Sequence, residues 1–365
     1  MGYDSDKTHA VKDAWPMGYS FPLACGPTLR NFKRTNLLFA VFVALRDHFI
    51  ICAAAAIGLL LYYYASVWLW LPANLVVCYV IARCQRGFEA QVHDVCHYNW
   101  TRHTRLNDLL GNILVAQPSF NLIESYRDSH RYHHSHFGQM LDPDRLRYEE
   151  FGIEELDRES CLNYLKGMAA HLPTYTVSWW KMIGLSPKVL LPSLGWHLVF
   201  LILPLAAIFG WRSGLVIWAF YWLVPFMLIL SVIRFIGEGG EHNYKASRTV
   251  FEGSNINQGL IPRLLIYAHG DGYHVIHHLF PSIPLHKLQR THEFLIAADP
   301  HDYGLKYMHR TKIFQRAFKK QETDEEIEKQ IAKQIEEIAL LEMSSDDSAT
   351  IDCETALVGN HDSRG

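Results

Sequence analysis

Apolar residues in this chain are concentrated in two tight pairs of runs. Phe49–Tyr64 is almost uninterrupted, and Val67–Ala82 follows after only Ala65 and Ser66. A second pair covers Val189–Phe209 and Leu215–Ile236, separated by Gly210, Trp211, Arg212, Ser213 and Gly214. A helix needs about 20 apolar residues to cross the hydrocarbon core, within a range of about 17–25. The second pair meets that length, and the first does so once flanking tyrosines serve as interfacial ends. The pattern predicts an all-α integral membrane protein with four transmembrane helices in two hairpins. Buried helices of a soluble all-α protein would be equally apolar, but four such runs in pairs are rare there.

Charge sets the expected direction. Arg30, Lys33 and Arg34 precede the first span, Arg83 and Arg86 follow the second, and Lys181 and Lys188 precede the third. Arg234, Lys245 and Arg248 flank the exit of the fourth, whereas the two hairpin tips carry only Arg212. Positively charged loops stay on the cytosolic side, so both termini and everything between the hairpins are expected there, as a cytosolic helical cap. The expected organisation is a polar N-terminal segment (1–35), a membrane domain (36–310) and a C-terminal region (311–365). In that last region Thr323 and Glu326 form a capping box, and Ile327, Ile331, Ile335 and Ile338 line one side of an amphipathic helix over Thr323–Met343. The composition beyond Ser344 suggests disorder. The polar start lacks a signal-peptide core, and neither a myristoylation motif nor a prenylation cysteine is seen, so attachment falls to the spans.

Overall composition changes this picture little. The 365 residues carry a net charge of −3, with 19% charged, and no basic excess points to nucleic acid. Seven cysteines without a CxxC pair read as reduced, mostly buried thiols. Cys96 is expected to pack rather than ligate.

Histidine is the unusual residue, with 21 copies, mostly clustered. His93 and His97 form an HxxxH pair; His130, His133 and His134 form HxxHH; His274, His277 and His278 repeat it; His242 stands alone after Glu238 and Glu241. Positions i, i+3 and i+4 share a helix face, so two imidazoles can converge on one ion, while the adjacent histidine, about 100° around, can serve another. At this histidine frequency each HxxHH is expected only about 0.07 times by chance. The boxes begin shortly after the second and fourth spans, so those helices can carry ligands out of the bilayer. Imidazole-rich, thiolate-free coordination suits iron, copper, nickel or zinc. Nine histidines overfill a zinc site, and haem needs only one or two, so a pair of irons with four or five histidines each fits best.

These residues resemble the membrane fatty acid desaturase and hydroxylase superfamily. The likeness rests on HDVCH at 93–97, HRYHH at 130–134 and GYHVIHHLFPSIP at 272–284, the stretch HHLFP above all. Leu141-Asp142-Pro143-Asp144 is similar to an acidic element found soon after the family's second box. The resemblance spans about residues 36 to 300. It implies two Fe ions held by His93, His97, His130, His133, His134, His242, His274, His277 and His278, with O2 as co-substrate. The implied reaction is desaturation of an acyl lipid or acyl thioester. No HPGG haem-domain signature occurs, so a separate donor is expected: ferredoxin, or a cytochrome b-type protein with its reductase.

Around the boxes, Asp94 and Asp142 are expected to orient ligand imidazoles, with loop or helix capping an equal reading for Asp142. Glu238, four residues before His242, is expected as a tenth ligand or as a residue that orients one; the Gly239–Gly240 pair departs from the family's commoner pattern and weakens a helix there. His269, His136 and His103 are expected at the surface or behind the ligands. His197, inside the third span, is expected as a neutral imidazole bonded to a neighbouring helix. Trp179 and Trp180 look like an interfacial belt. Hydroxylation, triple-bond formation or action on a small amino-acid-derived metabolite share the same boxes. A non-catalytic metal transporter or sensor is the more distant alternative, disfavoured by the tight box spacing and nearly charge-free spans.

Overall fold

The computed structural model describes residues 15–310, apart from 158, 159, 185, 246 and 308, together with Lys329, Lys333 and Glu336. The expected amphipathic helix over Thr323–Met343 and the tail beyond Ser344 lie outside the described residues, those three positions aside.

The chain is mostly helical. A short α1 (Gly26–Phe32) leads into α2 (Leu37–Tyr64), whose first turn is capped by the Asn36 side chain accepting from the Phe39 amide. α3 (Val67–Cys96) packs along α2. α4 (Thr104–Gly111), α5 (Ile123–Ser135), α6 (Pro143–Glu150) and α7 (Cys161–Gly184) follow. The second apolar pair forms α8 (Pro187–Phe209) and α9 (Trp211–Glu241). Short helices α10 (Val250–Gly253), α11 (Leu260–Leu265) and α12 (His274–Leu279) precede α13 (Leu285–Ala298). Two short parallel strands, β1 (Ile256–Asn257) and β2 (His309–Arg310), pair beside them.

α2, α3, α8 and α9 are each long and apolar enough to cross a membrane. Large apolar side chains such as Leu38, Phe42, Phe49, Trp68, Leu191 and Ile208 stand exposed on them, as lipid-facing surfaces require. The helices outrun the apolar runs. α3 continues without a break past Ala82 to Cys96, about 14 residues or 21 Å at 1.5 Å per residue. Every residue from Cys84 to Cys96 is buried. This polar extension, rather than a loop, delivers the first histidine box.

The five-residue separator expected between the second pair shrinks to Gly210, whose φ of 78° reverses the chain. Gly214 lets α8 and α9 close: a Cβ there would lie 2.8 Å from the Ala206 backbone nitrogen. Trp179 is not an interfacial belt residue. It is 3% exposed, packs on Phe226 and lies beneath the Arg234 guanidinium, because α7 lies against α9. Trp180 is half-buried and donates to the Met227 carbonyl.

Because the Gly214 contact is with backbone, relief by side-chain rotation is closed off. Gly214→Val should destabilise the α8–α9 pair by about 1–3 kcal/mol, read as a lowered Tm of the detergent-solubilised protein, whereas Gly195→Ala, with nothing within 4 Å, should leave it unchanged.

Candidate metal centre

Each box is held by its own local device. α3 ends at the first box: Tyr98 takes a left-handed φ of 58°, and Arg127 donates to the Cys96 carbonyl while stacking 4.2 Å over the Tyr98 ring. Arg127 is itself anchored to Asp108, which ties α5, and so the second box, to the end of α3. The third box is a short helix because Pro281 restricts Phe280 and stops it. His242 lies just beyond α9, with φ −125° and ψ 166°, bridged to Ser254 through backbone bonds on either side (Asn243 to Gly253, 2.9 Å; Asn255 to Glu241, 3.0 Å).

The nine histidines come together in two groups. His93, His97, His130, His134 and His277 form one; His133, His242, His274 and His278 form the other, with all ligand atoms of a group within 4.8 Å of one another. In the first, the His93 Nε2 lies 2.9 Å from His130 Nε2 and 2.8 Å from His277 Nε2, and His134 Nε2 lies 3.0 and 2.9 Å from the same two atoms. In the second, His274 Nε2 is 3.1 Å from both His242 and His278, and His133 Nε2 is 3.4 Å from His278. Each HxxHH thus splits: His130 and His134 serve one group and His133 the other, while His277 serves the first and His274 and His278 the second.

A metal ion fits these donors. Four Nε2 atoms cannot satisfy one another by hydrogen bonding, since each neutral ring offers only one N–H, and the His97 Nε2 is buried with no partner among the described residues. Metal–nitrogen bonds of about 2.0–2.1 Å put neighbouring donors about 3 Å apart, the observed spacing. Partners at Nδ1 fix the rings with Nε2 facing inward: His133 donates to Asp142 at 2.7 Å, and His242 to the Gly253 carbonyl at 3.2 Å. The His93 Nδ1 faces Asp271 at 3.4 Å.

Burial keeps seven of the rings uncharged. Desolvation, reinforced by neighbouring histidines, holds His97, His130, His134, His242, His277 and His278 well below the usual imidazole value and brings His274 to about 3. His133 differs: burial alone would lower it, but the carboxylates of Asp144 and Asp142 raise it to about 9. The first group is the more open, because His97 and His134 are half-buried and every member of the second is buried.

The flanking acids separate. Asp142 is fully buried; it faces His133 and also caps α6, accepting from the Gly138 and Asp144 amides. Among the described residues Asp94 bonds no imidazole; it accepts from the Asn99 side chain and the Leu285 amide, which ties α13 to α3. Glu238 is engaged by Arg147 at 2.9 Å and Arg234 at 2.8 Å, not by a histidine. The helix ends before His242, so the four-residue spacing no longer puts both on one face. Asp271 does what was expected of Asp94, held at 2.7 Å by Arg86. It was missed because an acid between two glycines (Gly270, Gly272) reads as a turn, although it stands three residues before His274.

The other described histidines stay outside both groups. His269 pairs with Asp47 at 2.7 Å, His103 caps α4 through the Leu106 amide, and His136 stacks on Tyr132. His197 accepts from the Trp218 indole of α9 at 3.2 Å, the neutral helix-to-helix bond expected.

Two histidine groups, supplied by the ends of α3 and α9 and by α5 and α12, define what the chain is similar to. The family model described as fatty acid desaturase matches residues 65–311. The chain belongs to the fatty acid desaturase family. A curated relative, dihydrorhizobitoxine desaturase of Bradyrhizobium elkanii, is 27% identical over 305 residues, which cover 76% of this chain and 83% of that protein. This member of the family is therefore a membrane protein with a desaturase-like, oxidoreductase function.

Asp142→Asn should weaken metal retention against a chelator by about 10- to 100-fold, while Asp94→Asn should lower Tm and leave metal affinity within about twofold of wild type. A pH effect follows as well. An unfolded imidazole takes up its proton near pH 6.5, but folded His274 resists until about pH 3. Between those values the unfolded chain binds more protons, so stability is lost as pH falls. The Tm of metal-stripped protein should drop from about pH 7 to about pH 5, more steeply than that of His274→Ala.

Proposed function

We propose that this chain is an O2-dependent di-iron desaturase that inserts a C=C bond into the aliphatic chain of an acyl lipid or acyl thioester. The convergence of nine imidazoles into a group of five and a group of four carries this reading, together with membership of the family. His93, His97, His130, His134 and His277 would hold one iron, and His133, His242, His274 and His278 the other. When bound, the irons supply O2 activation and the oxidising power to break an unactivated C–H bond. The balance is one CH2–CH2 unit, one O2, two electrons and two protons giving one CH=CH unit and two waters. Ferredoxin, or a cytochrome b-type protein with its reductase, supplies the electrons.

The protein's own residues do the holding and shielding. Asp142, Asp271 and the Gly253 carbonyl keep the rings of His133, His93 and His242 turned inward. Phe137 packs against His133, His242 and His278, and Tyr126 stacks on His130 with ring centroids 5.4 Å apart; both exclude water from the donors. The arrangement of positive residues supports two membrane hairpins with both termini and the histidines on the cytosolic side.

The curated relative is named for dihydrorhizobitoxine rather than for a fatty acid. A small-molecule substrate is accordingly the second reading, and hydroxylation or acetylenation would use the same donors. Expression in a host lacking the activity, with mass spectrometry of lipids and metabolites, separates these outcomes. Desaturation gives a product about two mass units lighter than its precursor, and hydroxylation one about sixteen heavier. His274→Ala and His130→Ala should each abolish the product. An unchanged product profile in both variants would exclude the reading.

A further inference from the structure

Four large apolar side chains stand exposed on α11. Leu260 and Ile261 are each 70% exposed, Leu264 57% and Leu265 42%. At 100° per residue they fall within an arc of about 140°, while Pro262 and Ile266, on the opposite side, are buried. Arg263 stands at the edge of the arc, and the helix carries no carboxylate. Single exposed apolar residues are ordinary on a protein surface, but a contiguous face of them marks a contact.

The level of the helix says with what. α11 is moored to α3: the Arg83 guanidinium donates to the carbonyls of Arg263, Leu264 and Tyr267, and the Tyr79 hydroxyl donates to the Leu265 carbonyl at 2.9 Å. Tyr79 lies inside the apolar run Val67–Ala82, and Arg83 is the first charge after it. Side chains of a helix lean toward its N-terminus, which for α3 is the hairpin tip, so the Tyr79 hydroxyl meets α11 at the level of that run and not beyond it.

α2 gives the same level independently. The Asn74 side chain of α3 donates to the Gly58 carbonyl of α2, and Gly87 of α3 lies against Asp47 of α2. Along this antiparallel pair, those contacts set Tyr79 level with about Ala54 and Arg83 with about Ile50. Both positions fall in the apolar run Phe49–Tyr64, and Ile50 faces the same cleft as Leu260 and Leu264. The exposed face of α11 therefore continues the lipid-facing surface of the first two spans, where Phe49 is 72% and Val76 63% exposed.

We propose that α11 dips into the lipid bilayer on the histidine side, with Leu260, Ile261, Leu264 and Leu265 among the acyl chains. Arg263, at the edge of that face, reaches back to the head groups, as long basic side chains do at a membrane surface. α11 comes between β1 and the turn that holds Asp271, six residues after Leu265. Its membrane contact fixes the depth of the segment that leads to Asp271 and His274, and is independent of what the metal centre oxidises.

Fluorescence quenching of the full-length protein in phosphatidylcholine nanodiscs tests this. A fluorescent amino acid replaces Ile261 in one preparation, Phe49 in a second and Lys245 in a third. Phe49 marks lipid, and Lys245, whose side chain is 63% exposed beyond the spans, marks water. Lipid chains brominated close to the carbonyl should quench the Ile261 probe at least about half as strongly as the Phe49 probe, and aqueous iodide should quench it less than about a third as strongly as the Lys245 probe. Exchange at one exposed position leaves the core untouched, and circular dichroism of each preparation checks that helix content is retained. Iodide quenching at Ile261 equal to that at Lys245 would overturn the proposal. Quenching by neither agent would place protein over the face, from the chain beyond residue 310 or from a second copy, and would overturn it as well.

Discussion

The structure depends on the mutual repulsion of imidazole lone pairs. Nε2 atoms 2.8–3.4 Å apart in a buried setting are tolerable only if something positive sits among them. Placing four or five such atoms together leaves partners unsatisfied in a dry interior, a cost that metal binding would recover. Much of the surrounding architecture can be read as the means of holding rings where, without an ion, they would rather not be.

The rings are held by several independent devices, and the irons would share none of them. α3 is continuous from the apolar run to Cys96, so His93 is fixed by a rigid element rather than a loop. Behind it runs a buried charge network. Arg86 joins Glu89, Glu241 and Asp271, and Arg234 joins Glu89 to Glu238, which Arg147 closes on the far side. Buried ion pairs of this kind contribute little net stability against an apolar alternative, yet losing one partner is costly. They therefore fix geometry: α3, α9, α6 and the Asp271 turn cannot shift independently.

The histidine boxes and the four apolar helices were legible in the sequence because both follow helical periodicity. The spacing in HxxHH foretold that one of the adjacent pair would join the first histidine and the other turn to a second group, without saying which. What was not legible depended on chain that doubles back. Asp271 and Arg86 are 185 residues apart, and no local pattern links them. Asp94 looked like the partner of its own box, but its side chain turns to Leu285, and the role passes to a turn residue far along the chain. Glu238 misled for a simpler reason: the helix that gives i, i+4 its meaning stops before His242. Trp179 was assigned to the bilayer surface from its neighbours in sequence, whereas packing of α7 on α9 buries it.

Metal content is the most direct readout of the two histidine groups. Full-length protein purified without chelators should hold about two irons per chain, with a Mössbauer signature of nitrogen-rich high-spin sites. His242→Ala, which touches only the group of four, should keep the iron of the group of five. Retention of less than one iron per chain in wild type, or replacement by readily exchanged zinc with no oxygen consumption, would contradict it.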